Sequence, residues 1–259
     1  MTSEIIQDGI TVKPEGEPRF LWIHMHGMGD NAENNKSLMQ KYHELFPQAH
    51  IDFPYVAAYG AKTIAPSVSP DGKKYETQEE LRKASFAEHM AKKSTMTFFS
   101  KAVQSVKQYA IGNISVFHLK RKVLPEIMSY VEAKQRETGI SADRTIISGF
   151  SLGAGAAIYA GLLSKSKVAG VVSHSGGYLG QVFNAASKPP VLFIADEKDV
   201  ELQRGELLDF DKSVRRLERK GVDVDFQTFE SEAPHMAGYQ YENPSLSMTE
   251  RFVRKQLDL

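Results

Sequence analysis

A serine flanked by glycines is the first feature of this sequence that could carry out chemistry. Ser151 lies at the centre of Gly149–Gly153 (G-F-S-L-G), which has the G-x-S-x-G pattern. The pattern is typical of a tight turn between a strand and a helix that exposes a nucleophilic serine, and its glycines add no Cβ to the turn. An ordinary glycine-rich turn is the alternative. The flanking residues favour the nucleophile, since 143–149 predicts a strand and 154–163 a packed helix.

A serine hydroxyl is a weak nucleophile, so it needs a neighbouring base, and the base needs an acid to orient it. In α/β-hydrolases these groups follow the chain order serine, acid, histidine, and each comes after a strand. Here Asp196, Glu197 and Asp199 follow a strand predicted over 190–195. The same order requires the histidine to follow a later strand.

His235 follows the strand predicted over 222–229, although a surface histidine is the alternative for this residue. For the acid we favour Asp199, because it leaves room for a turn that swings the carboxylate under the histidine. Asp196 follows its strand immediately and suits a cap or a loop brace, and Glu197 is the weakest of the three. The sequence therefore predicts a triad of Ser151, Asp199 and His235.

Two backbone N–H groups are predicted to bind the oxyanion of the tetrahedral intermediate. Leu152 directly follows the serine, which is where one donor of this kind of site lies. The second donor should come from the loop after an earlier strand, and Met28 lies between Gly27 and Gly29 after the apolar run 19–26. Backbone donors constrain geometry rather than side-chain identity, so the side chain of Met28 itself is not essential to this role.

His24 and His26 have the H-x-H spacing of some metal ligands. No acidic residue or further histidine completes a recognisable ligand pattern around them, so the sequence predicts no metal and no cofactor. We expect these histidines to shape the loop that follows them.

Composition sets the class of protein. The chain has 259 residues, of which 41% are hydrophobic and 25% charged, as expected of one α/β domain spanning 1–259. Lys+Arg and Asp+Glu both number 32, so no net charge favours nucleic acid or an anionic membrane. Cysteine is absent, which excludes disulfides and a cysteine nucleophile and predicts a cytoplasmic protein. Neither a signal peptide nor a transmembrane segment is predicted.

Strands alternate with helices along the chain, which predicts an α/β fold with a mostly parallel central sheet and helices on both faces. Strands are predicted at 9–13, 19–26, 50–56, 143–149, 167–173, 190–195 and 222–229. Helices are predicted at 32–46, 81–96, 98–109, 116–136, 154–163, 204–220 and 247–257.

Two regions leave alternatives open. Pro125 lies inside the predicted helix 116–136 and should either start or kink it. Residues 57–115 are predicted to form either a lid over the active site or scaffold helices with a surface insertion. A combination of the two is the third alternative.

Taken together, the motifs resemble the acyl-protein thioesterase/lysophospholipase group of small carboxylesterases in the α/β-hydrolase superfamily. Residues 26–30 (H-G-M-G-D) look like that family's H-G-L-G-D loop. Residues 139–153 look like its segment that ends in G-F-S-Q-G, and 224–235 look like its last strand and catalytic histidine. The resemblance covers roughly residues 19–56 and 125–257.

The resemblance implies that Ser151 is the nucleophile, His235 the base and Asp199 the orienting acid, with oxyanion donors at Met28 and Leu152. It implies hydrolysis of an acyl ester or thioester of a small molecule, a lysolipid or an acylated protein. Two rival interpretations are a non-catalytic binding protein with the same fold, and the same triad acting on peptides or another acyl donor. The oligomeric state is not predicted.

The sequence departs from the family pattern around the elbow and the acid. Leu152 replaces the glutamine after the nucleophile, and Ala154 replaces a glycine. Residues 195–198 (A-D-E-K) replace the H-G-x-x that precedes the family's acid. The family's S-W-[FY]-D motif does not occur in 57–115, and Trp22 is the only tryptophan. These departures leave the predicted triad intact and the substrate open.

Overall fold

A computed structural model of the protein describes residues 5–27, 30, 32–57, 119–178, 185–199, 210–230 and 243–259. Over these residues the strands are β1 (Ile6–Val12), β2 (Phe20–Met25), β3 (Ala49–Val56), β4 (Thr145–Phe150), β5 (Gly170–His174), β6 (Val191–Asp196) and β7 (Val224–Phe229). The α-helices are α1 (Lys36–Leu45), α2 (Leu124–Thr138), α3 (Leu152–Leu163), α4 (Phe210–Glu218) and α5 (Asn243–Leu257). Short 3-10 turns form at Glu33–Asn35 and Ala142–Arg144, and a π-helical turn forms at Leu119–Val123.

The described residues belong to one compact unit, formed by Met1–Lys62 and Phe117–Leu259. A second unit, Thr63–Val116, lies outside the described residues, and so do the helices predicted at 81–96 and 98–109. The lid or insertion interpretation of that region therefore stays a prediction. No helix within the described ranges is long and apolar enough to cross a membrane.

The seven strands form one sheet in the order β1-β3-β2-β4-β5-β6-β7. β1 runs antiparallel to β3, and every other neighbouring pair is parallel. Strands β2, β4, β5 and β6 are buried along their whole length, as continuous apolar runs in a covered parallel sheet should be. The predicted mostly parallel sheet is confirmed.

Helices cover both faces of this sheet, which is also as predicted. α2, α3 and α4 pack with Ile147 of β4 in one hydrophobic core, and α1 and α5 pack with the neighbouring Ile146 in the other. Successive residues of a strand point to opposite faces, so β4 contributes one side chain to each core in turn. The strand that leads to Ser151 is thereby held from both sides.

Pro125 lies at the start of α2, directly after the π-helical turn Leu119–Val123. It lies in the first turn of α2, where its missing N–H leaves no hydrogen bond unmade. Of the predicted helix 116–136, residues 119–123 form the π-helical turn and α2 begins at Leu124, whereas 116–118 lie outside the described residues. α2 ends with Gly139 in the left-handed conformation at φ 69°. Glycine adopts this cap conformation without steric strain.

A buried polar cluster supports the carboxyl end of β4. Trp22 stacks on Tyr42 with ring centroids 4.1 Å apart, and its indole N–H donates to the Ser148 hydroxyl at 2.6 Å. That hydroxyl also lies 2.8 Å from Nδ1 of His24, and Nε2 of His174 lies 3.2 Å from the Tyr42 hydroxyl. Burial lowers the pKa of both histidines, so they stay neutral near pH 7.

Acid is expected to destabilise the protein through His174. Burial lowers its pKa from 6.5 to about 3 in the folded state. The unfolded state then binds more protons between these values, so the free energy of unfolding falls as the pH falls through this range. His174 alone should contribute a loss of about 2 kcal/mol between pH 7 and pH 5. Urea denaturation of wild type and His174→Gln at both pH values measures this, and an equal drop in the two proteins would contradict it.

Candidate active site

Ser151 occupies a strained turn between β4 and α3. Its backbone has φ 51° and ψ −115°, a conformation that side-chain-bearing residues rarely adopt. Such a residue costs about 1–3 kcal/mol and persists only where its surroundings enforce it. Here the Ser151 N–H donates to the His174 carbonyl at 2.9 Å, and the Ser151 carbonyl accepts from the Gly155 N–H at 3.2 Å. The turn is thus fixed by β5 on one side and by the first turn of α3 on the other.

The glycines that flank the serine let strand and helix approach closely. A Cβ on Gly149 would lie 2.4 Å from the carbonyl carbon of Gly153. A Cβ on Gly153 would lie 2.3 Å from the carbonyl oxygens of both Met25 and His26. Real Cβ atoms essentially never come this close to backbone, so only glycine fits either position without a shift. The sequence pattern therefore has a direct steric cause.

The serine lies where the strand order of the sheet reverses. β2 and β4 are neighbours, but the next strand after β2 is added on one side of the pair and the next after β4 on the other. The loops that leave these two strands therefore diverge and open a crevice at the carboxyl edge, which is where open α/β sheets bind ligands. Ser151 follows β4, and the predicted oxyanion loop follows β2.

The start of that loop contacts the elbow. A Cβ on Gly27 would lie 2.8 Å from Cδ1 of the Phe150 ring, so this glycine is packed against the residue before the nucleophile. Met28 and Gly29 lie outside the described residues. The oxyanion role predicted for Met28 therefore stays a prediction.

Leu152, the other predicted donor, is the first residue of α3. The first N–H groups of a helix have no acceptor within the helix, and the helix dipole makes this end partly positive. An anionic oxygen beside the serine would therefore be stabilised at this position. The geometry suits the predicted role of the Leu152 N–H without testing it.

Asp199 and Asp196 occupy different positions after β6. Asp196 ends the strand, and its Oδ1 accepts the N–H of Lys198 at 2.7 Å, as a side chain that braces a turn does. Asp199 follows this turn, donates its N–H to the Asp196 carbonyl at 3.1 Å and is fully buried. Our preference for Asp199 as the acid rests on this difference and stays a prediction.

The acid turn is also joined to the strand that precedes the predicted histidine. Glu197 donates its N–H to the carbonyl of Phe229, the last residue of β7, at 2.9 Å and accepts from the Thr228 hydroxyl at 2.7 Å. Lys198 forms an ion pair with Glu230 at 2.6 Å. His235 itself lies outside the described residues, so its approach to Ser151 and Asp199 stays a prediction.

Strand spacing limits how the serine and the acid can act together. β4 and β6 lie on either side of β5, so their carboxyl ends are about 10 Å apart at a spacing of roughly 4.8 Å per strand. A hydrogen bond cannot span that distance directly. A third group between Ser151 and Asp199 is needed if the acid is to assist the serine, and an imidazole has the appropriate size.

The neighbouring histidines do not form a described metal site. Both ring nitrogens of His26 contact backbone groups, at 2.8 Å from the Gly27 carbonyl and 3.0 Å from the Val56 N–H. Within the part of the chain that the structure describes, no group of three His, Cys, Asp or Glu side chains could hold a metal ion.

Gly176, in the loop after β5, also packs against the elbow, although it belongs to no recognisable motif. A Cβ on Gly176 would lie 2.3 Å from Cβ of Ala154 and 2.6 Å from the carbonyl oxygen of Ser151. Gly176 thus lets the loop after β5 pass against the elbow. The only sign of this contact in the sequence is Ser175–Gly177 (S-G-G), directly after a buried strand. By itself this segment looks like an ordinary loop, because its contact with the elbow depends on the pairing of β4 with β5.

Comparison with known proteins agrees with this architecture. Residues 119–191, which include the elbow, match the phospholipase/carboxylesterase family model. Over 131 residues, 47% of this chain, the sequence is 32% identical to acyl-protein thioesterase 1 of Gibberella zeae. The match spans about half of that relative, 52% of its length. The predicted resemblance is confirmed over this part of the chain: residues 119–191 resemble the phospholipase/carboxylesterase family.

Similarity to solved structures confirms the predicted α/β-hydrolase fold. Esterase PE8 aligns with a TM-score of 0.61 at 20% identity, covering 96% of this chain and 98% of its own. A phospholipase/carboxylesterase from Dyadobacter fermentans aligns with a TM-score of 0.56 at 16% identity, covering 98% and 97%. At these identities the similarity concerns the fold.

Gly153→Ala should destabilise the protein, because the added Cβ would lie 2.3 Å from two carbonyl oxygens. Overpacking of this kind costs about 1–3 kcal/mol of unfolding free energy. Gly16→Ala is the matched control, since nothing lies within 4 Å of its Cβ position. Denaturant unfolding of both variants measures the effect, and equal stabilities would show that the elbow accommodates a side chain there.

Proposed function

We propose that this protein is a serine hydrolase, because residues 119–191 match the phospholipase/carboxylesterase family model. It cleaves carboxylic esters or thioesters through an acyl-enzyme on Ser151. The observation that carries the proposal is the strained Ser151 backbone at the start of α3, beside the crevice between β2 and β4. A residue with φ 51° costs stability, and residues strained in this way occur preferentially at active sites.

The first half of the reaction forms the acyl-enzyme. His235 takes the proton from the Ser151 hydroxyl as its oxygen attacks the acyl carbon, and Asp199 orients the imidazole and stabilises its positive charge. The N–H groups of Met28 and Leu152 hold the oxyanion of the tetrahedral intermediate. The intermediate collapses when His235 gives its proton to the departing alcohol or thiol, which leaves the acyl group on Ser151.

The second half releases the acyl group as a carboxylic acid. His235 removes a proton from water, and the resulting hydroxyl attacks the acyl carbon. The same two N–H groups hold the second oxyanion. When it collapses, the proton returns to the Ser151 oxygen, and both the enzyme and the histidine regain their starting states.

The proposal for the acyl carrier rests on the name of one relative. The name of the Gibberella zeae relative describes a thioesterase that acts on acyl-proteins. An acylated protein is therefore the first substrate class to test here, followed by lysolipids and small esters. A cytoplasmic location stays a prediction from the cysteine-free sequence.

Labelling by a fluorophosphonate tests the nucleophile. The reagent should label wild type and fail to label Ser151→Ala, and the substitution should lower p-nitrophenyl ester turnover by about 10⁴-fold or more. Mass spectrometry of the labelled peptide identifies the residue that reacts. A folded wild-type protein that stays unlabelled and does not turn over esters would instead support a non-catalytic binding protein.

Asparagine substitutions separate the two candidate acids. Asp199→Asn should lower kcat by up to about 10⁴-fold, because an amide neither holds the correct histidine tautomer nor stabilises its charge. Asp196→Asn keeps an oxygen that can accept the Lys198 N–H, so it should retain activity within about tenfold. Kinetics of both variants on one ester decides the assignment, and the opposite ranking would make Asp196 the acid.

A further inference from the structure

His26 contacts two backbone segments at the base of the predicted oxyanion loop. The side chain is almost fully buried, with 1% of its surface exposed, and its ring stacks near Tyr55 with centroids 5.8 Å apart. Nδ1 lies 2.8 Å from the carbonyl oxygen of Gly27, and Nε2 lies 3.0 Å from the amide nitrogen of Val56. One ring therefore joins the start of the loop to the last residue of β3.

These two partners define the protonation state of the ring. A carbonyl oxygen only accepts and a backbone N–H only donates, so Nδ1 carries the proton and Nε2 accepts. Burial lowers the pKa of His26, although the hydrogen bond to Gly27 and the charge of Asp30 act in the opposite direction. Protonation of Nε2 would set two donors against each other at Val56. His26 therefore acts in its neutral form.

The contact with Gly27 has a consequence for the next N–H. A trans peptide unit is planar, and its C=O and N–H point in opposite directions. The carbonyl of Gly27 and the N–H of Met28 belong to the same peptide unit. A side chain that fixes the direction of this carbonyl therefore also fixes the direction of the N–H predicted to bind the oxyanion.

The surroundings of the ring make this contact rigid. The carbonyl of His26 is itself packed against the elbow, since a Cβ on Gly153 would lie 2.3 Å from it. At the far end of the loop, Asp30 is 4% exposed and accepts a hydrogen bond from the Asn35 side chain at 3.1 Å. The loop is therefore anchored on both sides of Met28 by buried side chains.

We propose that His26 is a positioning residue for the oxyanion hole: by donating from Nδ1 to the Gly27 carbonyl, it aims the N–H of Met28 at the substrate oxygen. The inference rests on the proposed function and adds a residue to it. His26 does not touch the substrate. Its contribution belongs to the transition state, because the oxyanion exists only there and in the tetrahedral intermediate.

Three substitutions of His26 test the positioning role, because they differ in which of its two contacts they keep. Alanine removes both contacts. Asparagine places an N–H close to the former Nδ1, so it can still donate to the Gly27 carbonyl, whereas glutamine reaches the former Nε2 position near Val56. We expect kcat on p-nitrophenyl acetate to fall about 10- to 100-fold in His26→Ala and His26→Gln, with KM within about threefold of wild type. His26→Asn should recover kcat to within about fivefold of wild type.

His50→Asn is the control for a buried histidine at the opposite end of β3. His50 is 5% exposed and lies six residues before Val56 on β3, roughly 20 Å away along the strand. It should keep the wild-type kcat. Denaturant unfolding of every variant shows whether a loss of kcat follows a loss of stability.

The outcomes separate this inference from the function on which it rests. Wild type without Ser151-dependent turnover would overturn both. Turnover that depends on Ser151 but is unchanged in His26→Ala would overturn only the role of His26. Equal kcat in the asparagine and glutamine variants would also overturn this role. So would losses of kcat that parallel losses of stability across all variants, including His50→Asn, because the side chain would then be merely structural.

Discussion

The close approach of the first turn of α3 to the end of β2 is the constraint on which the rest of the site depends. Gly153 brings the helix within van der Waals distance of the Met25 and His26 carbonyls, with no space for a Cβ. This contact sets the elbow beside the loop after β2. Ser151, with its strained backbone, directly precedes this first turn of α3, so the same contact also helps to position the serine. The serine and the oxyanion loop are therefore positioned by one packing contact.

The strained backbone of Ser151 is stabilised by buried hydrogen bonds near the carboxyl ends of β4 and β5. Ser148, three residues before the nucleophile, accepts a hydrogen bond from the indole N–H of Trp22. The carbonyl of His174 accepts one from the N–H of Ser151 itself. These hydrogen bonds are buried, and a buried polar group that loses its partner costs about 1–3 kcal/mol of stability. Histidines fit here as neutral hydrogen-bonding rings, and for that reason the layer that supports the elbow is sensitive to acid.

The opposite side of the site is built differently. The acid turn after β6 is held by its own backbone and by Asp196, and it is joined to β7 through Glu197 and the exposed pair of Lys198 and Glu230. Exposed ion pairs contribute little to stability, so this side depends more on backbone hydrogen bonds than on charge. The rigid elbow thus faces a turn whose position is linked to the strand that leads to the predicted histidine.

The sequence by itself determined the class of fold and the identity of the candidate nucleophile. Continuous apolar runs such as 190–195, bounded by turn residues, indicate strands buried on both faces, and the G-x-S-x-G pattern indicates a tight turn around Ser151. Helix boundaries were less predictable: α2 begins at Leu124 because Pro125 suits a first turn, and periodicity alone did not choose between a start and a kink.

Only the tertiary structure decided which residues meet. Gly176, Trp22 and His174 lie far from Ser151 in the sequence and carry no motif, and they reach the elbow because β2, β4 and β5 are neighbours in the sheet. The Nε2 contact of His26 likewise depends on Val56, which is brought beside the loop by the parallel pairing of β2 and β3. A local sequence pattern reflects constraints between residues that are close in sequence. Contacts between distant segments are set by the order of the strands in the sheet, and no single segment specifies that order.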